Sequence, residues 1–240
     1  MLNEALEQKW NEVFPPGRYR IEMALDTGIR IGQEERAFVV FEGMTFCWIN
    51  APSIQLCPVL VYCPADKKNI KPEFEIVMRF LSRLAFESGE AVCEFTTVGK
   101  SFGIGSMLQS HPRDTIGSLC VDPKYISESS PSSHALLLAY SFYKEGLNTK
   151  QVSVYYSFLS FYKVLQLAFG EGHAARIRLA DWIDKNTENV CQHNDLDGIK
   201  NRAKEEGSLG SYLYSSCRCA IAHTDFTQKT VVNPDGVSPQ

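Results

Sequence analysis

An excess of positive charge is the first thing this sequence lacks. Against 24 Lys and Arg stand 28 Asp and Glu, a net charge of −4. The deficit lies in residues 1–130, which hold 13 basic and 17 acidic side chains; the rest of the chain holds 11 of each. Proteins that grip long nucleic acid usually carry a basic excess, so extended contact with a polyanion is excluded and any contact must be local. No apolar run reaches the length of a membrane span, and the start, MLNEALEQKW, carries no signal-peptide pattern. A cytoplasmic chain with reduced thiols and no membrane partner is expected, despite 8 Cys.

Two further absences narrow the chemistry. The cysteines lack the paired C-x2-C spacing of a structural zinc site. Cys217-x-Cys219 on a helix would point its thiols about 160° apart, Cys191-x-His193 is isolated, and Cys57 and Cys63 flank a strand. No metal, no cofactor and no structural disulfide are expected. Phosphate loops are incomplete as well. Gly99-Lys100-Ser101 resembles the end of a Walker loop, but Glu94 stands where its first Gly belongs, and Gly103-Ile104-Gly105 lacks a third Gly.

What is present divides into two halves. Hydrophobic residues make up 44% and aromatics 11%, enough for a sizeable core. Residues 2–13 form a polar, helix-compatible lead-in stopped by Pro15-Pro16-Gly17. Alternation predicts strands over 19–23, 36–41 and 44–49, with Glu42-Gly43 as a hairpin turn. Further strands are predicted over 53–62 and 91–96. Between them Phe74, Val77, Phe80, Leu81 and Leu84 share a helical stripe that ends near Gly89. The first half therefore reads as α+β, an antiparallel sheet covered by one helix. Residues 98–133, rich in Gly, Ser and Pro, read as a linker, with domains of 1–126 and 127–240. Beyond it five helices are predicted, over about 133–146, 149–169, 171–187, 195–206 and 208–223, forming a bundle.

The last of these helices carries Cys217-Arg218-Cys219-Ala220-Ile221-Ala222-His223. Arg-x4-His near the end of a helical run resembles the HEPN superfamily, whose active members are metal-independent ribonucleases. With Tyr155–Leu165 upstream and Val231-Val232-Asn233-Pro234-Asp235 downstream, residues 131–240 resemble the MauJ-like proteins, named for methylamine utilisation gene clusters, which carry a HEPN-type helical half. The resemblance implies a homodimer in which two Arg-His helices line one cleft, with Arg218 and His223 as catalytic residues. One imidazole would take the proton of a ribose 2′-OH, and Arg218 would hold the phosphate. It also implies a defence or toxin setting, with the first half as a sensor or as the surface for a protein partner. Lys163, Gln166, Cys219 and Tyr162 are candidates for supporting roles. Cys219 departs from the polar residue that often follows the Arg in active members, which puts activity in doubt.

Each feature also has a structural reading. An ideal helix sets residues five apart about 140° apart, so Arg218 and His223 do not share a stripe. An Arg near a helix end commonly pairs with an acid or the last carbonyls, and a His there can serve the helix dipole alone. Tyr155, Tyr156, Phe158, Phe161 and Tyr162 cover more than one face of their helix, as core and subunit interface or as a base-stacking surface. A non-catalytic dimeric scaffold or accessory protein is the alternative function.

Overall fold

The structure, a computed structural model, describes residues 2–51, 57–98, 120–122, 133–150, 152–190, 197–205 and 207–222. The chain divides into two compact units, 1–147 and 148–240. The boundary expected at 126/127 lies outside the described residues, and by packing the first unit extends to Leu147.

In the first unit, strands β1 (Ile21–Asp26), β3 (Arg36–Phe41), β4 (Met44–Ile49), β5 (Val59–Tyr62) and β6 (Cys93–Val98) form one antiparallel sheet in the order β3-β4-β5-β1-β6. The β3–β4 hairpin is set by its turn. Glu42 and Gly43 both have positive φ, 47° and 76°, the two-residue geometry whose twist suits a hairpin. Alternation then sends Val39, Phe41, Phe46 and Trp48 to one face and Phe38 and Cys47 to the other. Helix α2 (Lys71–Ser88) covers the first face with Val77, Phe80, Leu81 and Leu84, all fully buried. The Phe80 ring lies 5.0 Å from Phe46 and 5.7 Å from Phe41. Gly89 ends α2 in the left-handed conformation, its N–H bonded to Ala85 O, a conformation that costs other residues more than glycine.

One covering helix was expected, and the sheet has a helix on each face. Helix α1 (Leu2–Val13), polar over most of its length, sets Trp10, Val13 and the following Phe14 against Cys47, Val59 and Val61. Its outer edge is tied by Arg36, which bonds Glu7 at 2.8 Å and lies 4.9 Å over the Trp10 ring. The expected linker is also corrected in part. Within it, β7 (Cys120–Val121) pairs in parallel with β2 (Arg30–Ile31), and Gly32 N–H bonds Val121 O. Buried Asn50 holds β2 in place. Its Oδ1 accepts from Ile31 N and Trp48 Nε1, and its Nδ2 donates to Ile31 O and Glu34 O.

Helix α3 (His134–Thr149) runs through Gly146, which was expected to stop it and is instead buried. Tyr140 of α3 takes a hydrogen bond from Arg83 at 2.7 Å and lies against Phe86, so this helix packs on α2. The second unit holds α4 (Val154–Phe169), α5 (His173–Val190), α6 (Asp197–Glu205) and α7 (Leu209–Tyr212). Ser153 caps α4, its hydroxyl accepting from Tyr156 N. Tyr162, Leu179 and Ile183 form the small core between α4 and α5, with Leu209, Leu213 and Tyr214 packed on it.

Candidate functional site

Helix α7 does not continue as an α-helix. Residues Leu213–Cys219 are π-helical, and a single α turn, Ala220–Ala222, follows. Two local features accompany the change. Ser215 Oγ donates to Ser211 O at 2.8 Å, competing for a carbonyl that an α-helix would bond through backbone alone. Upstream, Gly210 is pressed onto α5: a Cβ there would lie 2.4 Å from Ala180 O. Its N–H is held by Asp184 Oδ1 at 2.9 Å. The helix is thus anchored at Gly210 and widens immediately beyond it.

The widened segment carries Arg218, so the ideal-helix separation assumed for the Arg-x4-His stretch does not apply to its first half. With i→i+5 bonding, giving about 4.4 residues per turn, residues four apart nearly eclipse. Arg218 accordingly lies over Tyr214, with 5.8 Å from guanidinium carbon to ring centroid. One of its terminal nitrogens is 3.9 Å from Cys219 Sγ, and its Nε is buried. His223 lies outside the described residues, as do Cys191-x-His193, the glycines at 99–105 and residues 231–235.

Beside the π-helical segment is a cleft of about 420 Å³. Tyr214, Ser215 and Cys219 form one wall, α5 supplies Arg176, Ala180 and Asp181, and Ser208 and Ser211 line the end near α7. Arg176 lies 4.7 Å over the same Tyr214 ring. Two guanidinium groups therefore meet one phenol, a contact favoured by the ring's negative face. Arg218 does not line the cleft itself. It stands behind the wall, near buried Tyr162. Burial pushes the Tyr162 hydroxyl up to about 12, with the Arg218 and Arg176 charges pulling the other way. Burial also raises Tyr212, with Cys217 adding to the rise and Arg202 opposing it.

Residues 139–240 match the family model described as methylamine utilization protein MauJ. This stretch is MauJ-like. No curated protein and no solved structure matches the chain. The MauJ-like stretch contains most of α3 and all of α4 to the last helical turn, and hence every residue of the cleft.

Of the residues singled out from sequence, Cys219 lines the cleft and Arg218 backs it. Tyr162 is a core residue, 3% exposed, its ring tilted against Phe158 at 5.7 Å between centroids. Lys163 and Gln166 are half-buried on α4 and are not among the cleft residues. The aromatic helix is divided in use, for Tyr162 is core whereas Tyr156 is 61% exposed. Arg176 was missed: a single Arg on a polar helix reads as a solvated charge, and only the fold brings it to Tyr214. Among the described residues there is no cluster of metal-ligating side chains, no disulfide, and no helix long and apolar enough to cross a membrane.

Proposed function

We propose that the chain is a HEPN-type, metal-independent endoribonuclease acting as a homodimer, with Arg218 and His223 as its catalytic pair. The observation that carries this reading is the π-helical turn around Arg218 at the wall of an open, hydroxyl-lined cleft. Such π segments occur mostly as local departures from α-helix and often mark functional sites. In the reaction the 2′-oxygen bonds to the adjacent phosphorus as its proton passes to an imidazole. The bond from phosphorus to the 5′-oxygen breaks, and that oxygen takes a proton from a second acid. The products are a 2′,3′-cyclic phosphate and a free 5′-hydroxyl, and DNA is left intact. Arg218 stabilises the charge growing on phosphorus oxygens, a task for which an ammonium is a poor substitute.

A second reading has its own support. Arg218 is stacked on Tyr214 behind the cleft wall, as a structural arginine would be. The matched family is described by methylamine utilization, and an accessory or scaffold protein of such a system is the corresponding function. Incubation with total RNA, with and without chelator, separates the two. An enzyme of the proposed type cuts in both conditions, and His223→Ala slows cutting by about 10²–10⁴-fold. A scaffold leaves RNA whole in all arms.

A further inference from the structure

We propose that Arg176 is a phosphate-binding residue of the cleft, holding a backbone phosphate of single-stranded RNA in front of the wall that Arg218 backs. The choice of RNA rests on the ribonuclease reading; the anion-binding role of Arg176 does not.

Arg176 is exposed on α5 and lines the cleft, whereas Arg218 is half-buried behind the wall. Its guanidinium is positioned by the Tyr214 ring at 4.7 Å. A planar cation resting on an aromatic face keeps its edge N–H donors directed outward, suited to two phosphate oxygens at once. Among the described residues Arg176 forms no ion pair, although two carboxylates are close in sequence on the same helix. Asp184 is engaged by Gly210 N–H, and Asp181 lines the cleft without bridging to Arg176. Ser208 adds a hydroxyl donor: its Oγ accepts from Ser211 N, which leaves its own proton for a ligand. The cleft's 420 Å³ falls in the range of small-ligand pockets, enough for a nucleotide-sized segment and too small for an extended track. That suits a unit whose total charge provides no broad electrostatic grip.

The test uses the full-length chain with His223→Ala, so that binding is read without cleavage. Anisotropy of a short fluorescein-labelled single-stranded RNA is measured across a range of salt concentrations. Adding Arg176→Gln is expected to weaken binding about tenfold and to reduce the slope of log affinity against log salt by about 0.7, the loss of one phosphate contact to a single strand. Asp181→Asn is expected to tighten binding. An unchanged melting temperature confirms that Arg176→Gln, a surface change, leaves the fold intact. Equal affinity and equal salt slope with and without Arg176 overturn the proposal, as does a His223→Ala protein that fails to bind the RNA. If the oligonucleotide binds through Arg176 but wild type cuts no RNA, the ribonuclease reading falls and the phosphate site stands.

Discussion

The two units use polar side chains in opposite ways. In residues 1–147 polar side chains tie elements together: buried Asn50 makes four side-chain hydrogen bonds, and half-buried Arg36 links β3 to α1. Apolar burial there is deep, with Trp48, Phe46, Phe80 and Leu60 all at 0% exposure. In residues 148–240 the core is a few residues around Tyr162, Leu179 and Ile183, and serines, a tyrosine and an arginine face an open cleft. A helix pinned at Gly210 and widened at Arg218 completes that contrast. The first unit buries its large side chains deeply and the second leaves polar groups around an open cleft, which is why the proposed chemistry is placed in the second.

The strongest way to break the comparison is to remove Asn50. Asn50→Ala strands Ile31 N–H, Ile31 O and the Trp48 indole N–H in a buried site. A loss of about 3–5 kcal/mol is expected from such unsatisfied groups. Urea denaturation measures it, and a loss below about 1 kcal/mol would mean that β2 is not held as described.

Next in size is the alkaline response. Burial raises Cys47 and Tyr62 in the first unit, and Tyr162 in the second, each to about 12. Their unfolded counterparts ionise at lower pH, so each contributes stability that is fully present below the unfolded pKa. That stability is lost as pH rises from about 9–10 towards 12. With two such groups against one, the first unit is expected to lose stability faster, each group accounting for something on the order of 2 kcal/mol. Tyr62→Phe sharpens the point. Among the described residues the buried Tyr62 hydroxyl has no hydrogen-bond partner, so the variant is expected to match wild type at neutral pH and to resist alkali better. Denaturation midpoints across this pH range decide it; a midpoint lowered at neutral pH would show that the hydroxyl is bonded after all.

Smaller in effect is Gly210→Ala. The added Cβ meets Ala180 backbone atoms at 2.4–2.7 Å, and α7 must shift, at a cost of about 1–3 kcal/mol. The shift is expected to reach Tyr214 and Arg218 through the π-helical segment. Thermal unfolding reads the first effect, and the quenching of tyrosine fluorescence by bound RNA the second. A variant as stable as wild type would show that the close approach is relieved without strain.

Much of this architecture was legible in the sequence, for reasons that are local. Strands 36–41 and 44–49 follow from strict alternation around a turn dipeptide, and α2 from an apolar stripe with a terminal glycine. The parts that were not legible are long-range. The β2–β7 pair has two residues per strand, too few for any periodicity. Asn50 reads as an ordinary loop residue until the fold brings Ile31 and Glu34 to it. At the site, the Arg-x4-His stretch was visible as a motif, but the π-helical turn was not, because the residues of 213–219 read equally well as an ordinary helix. Arg176 became visible only with the ring it covers.

The most direct measurement of the assignment is the chemistry of the cut ends. Purified protein is incubated with RNA in excess chelator, and the termini are mapped by mass spectrometry beside His223→Ala. The expected result is 2′,3′-cyclic or 3′-phosphate ends with free 5′-hydroxyls, and a rate about 10²–10⁴-fold lower without the imidazole. Ends bearing a 5′-phosphate, cleavage that stops with chelator, or a His223→Ala protein that cuts as fast as wild type would contradict it.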